Sequence, residues 1–234
     1  MAMGFAIGNY ACSLVHRLPR GRLLLDKPPY CGHCGTLLAT KDLFPVFSAL
    51  LLRHRCRYCG TPFPVSHTWT ELLIGILFTL AFLKYGYGEQ YFLLIITGVF
   101  LVVLAAIHVN DHKIMNSVLY SAALSGLMYR ILVDHTIYNA FEGGLYMLLL
   151  GTALHARHIK KEGHVYILPP PAKLLAVGGL CVGASLLPQF LFLYAGLFTI
   201  GWVYGVLRRR TVVYPVAFGF AVMLTILYPG FILQ

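Results

Sequence analysis

Apolar segments fill most of this chain and recur from one end to the other. They lie near 1–16, 69–84, 91–107, 116–133, 139–156, 173–187, 189–206 and 212–233. With 59% hydrophobic and 11% charged residues, the chain has more apolar surface than a water-soluble domain of 234 residues can bury. The pattern predicts an all-α polytopic membrane protein with about eight transmembrane helices. The boundary at Pro188 is the least distinct, because 173–206 is one nearly continuous apolar run.

The basic residues indicate how these segments are oriented. If the N-terminus is outside and the spans alternate, the inside loops hold 16 of the 18 lysines and arginines, and only Lys84 and Arg130 fall toward the outside. Loops rich in lysine and arginine stay on the cytoplasmic side of a membrane. We therefore expect a multi-pass protein with a cytoplasmic first loop. The net charge of +10 then needs no nucleic-acid partner, because membrane lipid and topology account for it.

The chain divides into three predicted parts. Residues 1–16 are expected to form a short first transmembrane helix that stays attached, because they have no charged leader region and no cleavage site. Residues 17–67 form a polar cytoplasmic loop, and 68–234 form a transmembrane domain of about seven helices.

Two Cys-x-x-Cys motifs stand in the polar loop, separated by twenty-one residues. They are Cys31–Cys34 and Cys56–Cys59, and glycines flank both motifs where sharp turns are needed. Zinc prefers four soft ligands in a tetrahedron, and two such motifs supply four thiolates. A pair of disulfides is the alternative, but the predicted reducing side of the membrane favours zinc. The sequence thus predicts a structural four-cysteine Zn²⁺ site.

Small residues inside the spans predict close helix packing. The segments are Gly143-Gly144, Gly178-Gly179 with Gly183, and Gly201-x-x-x-Gly205. In lipid, small residues let helices approach closely, so packing seams are expected; a dimer face, and hence a homo-oligomer, is the alternative. Cys12 and Cys181 lie in apolar stretches and are expected to be packing residues.

Several motifs together carry a resemblance to a known family. They are Gly8 before an apolar run ending in Arg17-Leu18-Pro19-Arg20-Gly21, the two cysteine motifs with Asp42-Leu43-Phe44-Pro45 and Leu50-Leu51-Leu52-Arg53 between them, Glu71-Leu72-Leu73, and Phe218-Gly219. This arrangement resembles the type IV prepilin peptidases, bifunctional enzymes of the bacterial inner membrane that serve type IV pili and type II secretion.

The resemblance implies a substrate, partners and cofactors. Family members cleave a prepilin or pseudopilin-like peptide with two aspartates, one acting as base and the other as acid, and they work with pilus or secretion assembly proteins. They also methylate the new N-terminus with S-adenosylmethionine, and their cysteine loop lies in the cytoplasm.

The chain departs from the family at both aspartates. In the first stretch, anchored on Ile107 and Asn116, the aspartate position holds His108. In the second, anchored on the run 173–176, it holds Pro171, which cannot ionise. We therefore predict a non-catalytic relative that acts in prepilin binding or assembly.

Two alternatives retain a catalytic or metal-binding function near these two positions. An active leader peptidase or N-methyltransferase would need substitute residues, for example an Asp111–Glu162 dyad, since Asp111 lies about one helical turn beyond His108. A metal-handling membrane protein would instead use histidine pairs with helical spacing, which are otherwise ordinary interfacial residues. The two pairs are His108 with His112 and His155 with His158.

Overall fold

The structure is a computed structural model that describes residues 2–21, 33–37, 55–61, 65–135, 137–162, 170–208 and 214–229. Within these ranges the chain forms eight α-helices, and they overlap the eight apolar segments. The helices are α1 (Ala2–Arg17), α2 (Val65–Tyr85), α3 (Glu89–Asp111), α4 (Asn116–Tyr129), α5 (Ile137–Glu162), α6 (Pro170–Val182), α7 (Leu187–Arg208) and α8 (Tyr214–Leu227). The predicted all-α class is confirmed for the described part of the chain.

The surface of the helices has the apolar character expected of a membrane protein. Large side chains such as Leu83, Phe192 and Ile200 are 74%, 67% and 68% exposed, which would be costly in water but matches contact with lipid tails. Two helical segments, Glu89–Asp111 and Ala184–Tyr204, are long and apolar enough to cross a bilayer. Membrane crossing by all eight segments stays a prediction.

The chain separates into two compact units. Unit 1 comprises Met1–Gly86 and Val102–Met115, and unit 2 comprises Tyr87–Leu101 and Asn116–Gln234. Helix α3 therefore contributes its second half to unit 1 and its first half to unit 2. The predicted division at residues 16 and 67 follows loops along the sequence, and it stays a prediction.

In unit 1, helices α1 and α2 make close contact at two glycines. A Cβ atom at Gly4 would lie 3.0 Å from the Cβ of Phe78 and 3.2 Å from the Cα of Gly75. One turn further along, a Cβ at Gly8 would lie 3.0 Å from the Cα of Glu71. Both distances are shorter than ordinary van der Waals contacts, so the absence of side chains at these positions sets how closely the helices approach.

In unit 2, helices α5 and α6 pack along a seam of small residues. A Cβ at Gly143 would lie 2.6 Å from the carbonyl oxygen of Gly179 and 2.7 Å from the carbonyl carbon of Gly183. Toward the other end of the seam, a Cβ at Gly151 would lie 2.7 Å from the Cα of Ala172. The predicted packing seam is confirmed for these two helices.

The remaining predicted seam has a different environment. A Cβ added at Gly201 on α7 would meet no atom within 4 Å in the described part of the chain. Among the described residues, no packing seam forms at Gly201. The two apolar-stretch cysteines are confirmed as buried, with Cys12 3% and Cys181 0% exposed.

A glycine separates α6 from α7. Gly183 has φ +77° and ψ 161°, a conformation that L side chains rarely adopt, and its N–H still donates to the carbonyl of Gly179. A 3₁₀ turn at Ala184–Leu186 follows, and α7 begins at Leu187. Pro188 thus lies in the first turn of α7, where its missing N–H is tolerated, and the helix break occurs five residues before it.

Hydrogen bonds between polar groups connect helices at the same end of unit 2. The Arg130 guanidinium is 5% exposed, and its Nε donates to the carbonyl of Cys181 at 3.0 Å. Asn139 donates to the hydroxyl of Ser185 at 2.9 Å and accepts from its backbone N–H at 3.0 Å. These hydrogen bonds satisfy polar groups where α6 ends, and the positive guanidinium suits the negative end of the helix dipole.

Candidate functional site

Three cysteines from the two sequence motifs converge in space. The sulfur atoms of Cys34, Cys56 and Cys59 all lie within 4.8 Å of one another. Cys56 is buried, whereas Cys34 and Cys59 are exposed, and none of the three forms a disulfide in the described part of the chain. Cys31, the fourth predicted ligand, lies outside the described residues.

Backbone turns explain how each motif presents its sulfur atoms. Gly35 and Gly60 each follow the second cysteine of a motif, and each has φ +70°, which favours glycine. In the second motif the N–H of Gly60 donates to the carbonyl of Cys56 at 2.9 Å, and the N–H of Cys56 donates to the carbonyl of Thr61 at 2.8 Å. The glycines therefore allow the tight turns that bring the thiols of a motif together.

One thiol of the triad is prepared for ionisation. The Sγ of Cys59 lies 3.1 Å from the Thr61 hydroxyl. Hydrogen bonds from the side chain and backbone of Thr61 lower the pKa of the Cys59 thiol to about 6. A thiolate, and not a thiol, is the form that binds a metal ion.

The triad fits a zinc ion by its donor chemistry. Zinc–sulfur bonds of about 2.3 Å in a tetrahedron place the sulfur atoms close to 4 Å apart. The three sulfur atoms here lie within 4.8 Å of one another, which is compatible with that separation. Three thiols on two turns, one of them with a lowered pKa, form an environment that suits structural zinc. Bound there, the ion would cross-link two short polar segments that bury little apolar surface of their own. The predicted ligands Cys34, Cys56 and Cys59 are brought together, while the fourth ligand stays a prediction.

The two aspartate positions of the resembled family fall in different units. His108 belongs to the last turn of α3 in unit 1, and its side chain is 8% exposed. Pro171 is the second residue of α6 in unit 2 and is partly exposed. A proline fits the first turn of a helix, because the N–H it lacks has no partner within the helix there.

The end of α3 brings one predicted histidine pair together. The rings of His108 and His112 meet edge to face with centroids 5.9 Å apart. His112 has φ +52°, and its N–H donates to the carbonyl of His108 at 3.0 Å, which closes the helix. Nothing is described of the side chains of His155 and His158, so a metal site that uses both histidine pairs stays an alternative hypothesis. Among the described side chains, only the three cysteines gather three metal-ligand atoms within 4.8 Å.

Asp111, the carboxylate of the alternative catalytic pair, also lies at the end of α3. Asp111 is the last residue of α3 and half-buried, and its carboxylate acts electrostatically on the imidazole of His16 at the end of α1. Arg20 acts on the same imidazole. The side chain of Glu162 lies outside the described residues, so an Asp111–Glu162 dyad stays a prediction.

A buried carboxylate escaped the sequence analysis as a candidate for function. Glu71 on α2 is 2% exposed, and its Oε2 has no hydrogen-bond partner among the described residues. Its carboxylate forms a hydrogen bond with the thiol of Cys12 on α1, and Thr70 also contacts that thiol. Ionisable groups inside membrane helices are costly and usually functional, which is the signal that could have singled out Glu71.

Comparison with known proteins agrees with the sequence motifs. Residues 2–85 match the family described as "Bacterial Peptidase A24 N-terminal domain". This match covers α1, both cysteine motifs and α2. No solved structure matches the chain.

Several curated relatives share the name "Prepilin leader peptidase/N-methyltransferase". The relative from Pectobacterium carotovorum subsp. carotovorum is 29% identical over 248 residues, covering 93% of this chain and 86% of the relative. The one from Klebsiella pneumoniae is 28% identical, covering 81% and 86%. The one from Myxococcus xanthus is 32% identical but covers only 48% of this chain and 33% of the relative. The chain is therefore similar over most of its length to prepilin leader peptidase/N-methyltransferases, and its first 85 residues match an N-terminal domain of bacterial A24 peptidases.

Proposed function

We propose that this chain is a prepilin-peptidase-like protein of a bacterial inner membrane that binds a prepilin or pseudopilin segment without cleaving it. It would act in the assembly of a type IV pilus or a type II secretion system. The observation that carries this proposal is the combination of the matched N-terminal domain with His108 and Pro171 at the two positions where the family has aspartates.

The chemistry of these two residues explains why we infer a loss of cleavage. Aspartyl proteolysis needs one carboxylate as base and one carboxylic acid as proton donor around a shared water. Pro171 has no ionisable group and can play neither part. His108 has an imidazole that can accept a proton, but a single imidazole does not replace a carboxyl pair.

A co-expression experiment tests the proposal. The full chain is expressed with a prepilin from the same organism, and a prepilin peptidase that has both aspartates serves as the positive control on the same substrate. We expect the uncleaved prepilin to accumulate and to co-purify with this chain. Leader removal by this chain would contradict the proposal, and its loss in an Asp111→Asn variant would identify Asp111 as a substitute.

A second candidate function is methyl transfer, and the cysteine triad favours it. The family places its cysteine loop near the methylation step, and the three described cysteines keep a geometry that fits a metal. The test is transfer of a methyl group from S-adenosylmethionine to a pilin peptide that has already lost its leader. Transfer that disappears in Cys56→Ser but persists in Asp111→Asn would favour this function, and no transfer would leave the binding role.

A third candidate is a metal-handling role that uses the histidine pair at the end of α3. The purified chain would then bind more than one metal equivalent, and His108→Ala would remove the second. One zinc per chain that is lost only when cysteines of the two Cys-x-x-Cys motifs are replaced by serine would exclude this candidate.

The proposed topology places the cysteine loop in the cytoplasm. A membrane-impermeant thiol reagent is then expected to label Cys34 only after the cells are opened and the metal is removed. Labelling in intact cells would place the loop outside and reverse the orientation of every span.

A further inference from the structure

The contact between α1 and α2 contains a carboxyl group. Glu71 lies on the same face of α2 as Ile74 and Phe78, which are 0% and 3% exposed, and Glu71 itself is 2% exposed. The three positions follow the i, i+3, i+7 spacing of a buried helical face. An ionisable side chain therefore stands where the helix otherwise presents apolar ones to its neighbour.

Helix α1 lies directly against this side chain. A Cβ atom at Gly8 would lie 3.0 Å from the Cα of Glu71 and 3.3 Å from both its Cβ and its Cγ. One turn further along α1, Cys12 is 3% exposed, and its thiol forms a hydrogen bond with the Glu71 carboxyl group. A place where one added carbon atom is already too close to three others has no room for a water molecule beside the same atoms.

One oxygen of the carboxyl group lacks a hydrogen bond. Oε2 of Glu71 is buried and has no hydrogen-bond partner within the described part of the chain. The Cys12 thiol that contacts the carboxyl group is a weak donor and carries no positive charge. Burying a carboxylate ion without a paired cation and without donors for both oxygens is far more costly than burying a neutral carboxylic acid.

A proton suits this place better than a larger cation. A bound proton removes the charge and turns one carboxyl oxygen into a donor, and it needs no additional space. A metal ion or an ammonium group would need several oxygen ligands around it, whereas the only described group of three metal-ligand side chains is formed by the cysteines of the loop. The close contact at Gly8 also leaves no gap for such an ion beside the Glu71 side chain.

We propose that Glu71 is a proton-binding site that couples protonation to the docking of α1 on α2. The carboxyl group holds a proton while α1 is docked, and it releases that proton to water when α1 moves away and exposes it; no other bond changes. The titratable side chain that contacts Glu71 from α1 is Cys12, and its neighbour Thr70 on α2 does not titrate. This property belongs to the contact between two helices and does not depend on whether a prepilin is bound or cleaved.

Infrared spectroscopy of the full chain in lipid bilayers tests the protonation directly. A protonated carboxyl group has a carbonyl stretch that is separate from the bands of carboxylates and amides. At neutral pH we expect such a band in wild type and in Glu89→Gln, and its loss in Glu71→Gln. Glu89 is the matched control because its carboxylate is exposed at the start of α3. Cys12→Ser should keep the band, which separates the carboxyl group from the thiol beside it.

The pH dependence of stability tests the coupling. A glutamate in water loses its proton near about pH 4.3. Above that pH, releasing α1 also releases one proton, so the equilibrium constant for release should rise about tenfold per pH unit until the docked carboxyl group itself ionises. Glu71→Gln keeps the shape of a neutral carboxyl group and has no proton to lose. The Tm of wild type in mixed micelles should therefore fall with rising pH relative to that of Glu71→Gln.

Three results would overturn the proposal. They are a carboxylic-acid band that Glu71→Gln leaves unchanged, equal pH dependence of Tm in wild type and Glu71→Gln, and a rise in Tm with sodium or methylammonium chloride that Glu71→Gln abolishes. The last result would assign the site to a larger cation. If Glu71→Gln does not fold, the infrared difference between neutral and alkaline wild type gives the same readout, because exposed carboxylates are ionised at both pH values; absence of a carboxylic-acid band at neutral pH would then refute the site.

Discussion

The α5–α6 seam makes a quantitative prediction about Gly143. A Cβ at this position would lie within 2.8 Å of three backbone atoms, the Gly179 oxygen, the Gly183 carbon and the Ala184 nitrogen. Backbone atoms cannot move away by changing rotamer, so Gly143→Ala must push the helices apart. Overpacking of this kind costs about 1–3 kcal/mol, and the better helix propensity of alanine returns about 1 kcal/mol. Because all three contacts are with backbone atoms, we place the overpacking cost at the upper end of this range, about 3 kcal/mol, and expect a net destabilisation of about 2 kcal/mol.

Gly201→Ala is the matched control, because the same change on α7 meets no atom within 4 Å. It should leave stability unchanged or raise it by up to about 1 kcal/mol. The assay is reversible unfolding of both variants in mixed detergent micelles, monitored by tryptophan fluorescence and helical circular dichroism. If Gly143→Ala is as stable as Gly201→Ala, the close approach of α5 and α6 is not what holds unit 2 together. A destabilised Gly201→Ala would instead point to a contact on α7 with another chain.

Three further predictions concern the candidate sites. Cys56→Ser should remove bound zinc and make the first loop sensitive to protease, as measured by metal analysis and limited proteolysis; retained zinc would refute the metal assignment. In metal-free protein, Thr61→Val should raise the pKa of the Cys59 thiol from about 6 toward the ordinary thiol range, because the variant lacks the hydroxyl that hydrogen-bonds to the sulfur. The wild-type thiolate persists until the pH falls through about 6. The pH dependence of Cys59 alkylation measures this change, and an unchanged midpoint would discount the hydrogen bond with the Thr61 hydroxyl. Pro171→Asp should leave Tm nearly unchanged, because a carboxylate suits the first turn of a helix, whereas His108→Asp should lower Tm by several degrees, because it buries a carboxylate near a helix C-terminus. Equal Tm values for the two variants would show that the place of the new carboxylate within its helix does not determine its effect on stability.

The helices could be predicted from the sequence because lipid makes hydrophobicity the dominant signal. A run of apolar residues must satisfy its backbone internally, so it becomes a helix whatever its partners are. The exact break between α6 and α7 could not be predicted in the same way. Proline is the obvious helix breaker in 173–206, yet Pro188 is tolerated in a first turn and Gly183 makes the break through its positive φ.

The candidate metal site was predictable for a different reason. Cysteine spacing fixes local geometry, so Cys34, Cys56 and Cys59 could be assigned without knowledge of the fold. Glu71 could not, because its burial depends on which helix packs against α2. That choice is made by Gly4 and Gly8 on α1, and two glycines four residues apart signal close packing without naming the partner.

The packing of unit 2 is compatible with the loss of the catalytic pair that we propose. Its helices are held by glycine contacts along α5 and α6 and by the hydrogen bond from Arg130 to the carbonyl of Cys181, and neither involves Pro171. Pro171 occupies a helix start, where proline is among the best residues, so the proposed replacement of an aspartate there would remove an acid without removing a structural contact. A chain in this situation can keep the surfaces that recognise a peptide while losing the groups that cut it. Retention of prepilin binding without cleavage is therefore the combination that the local physics permits.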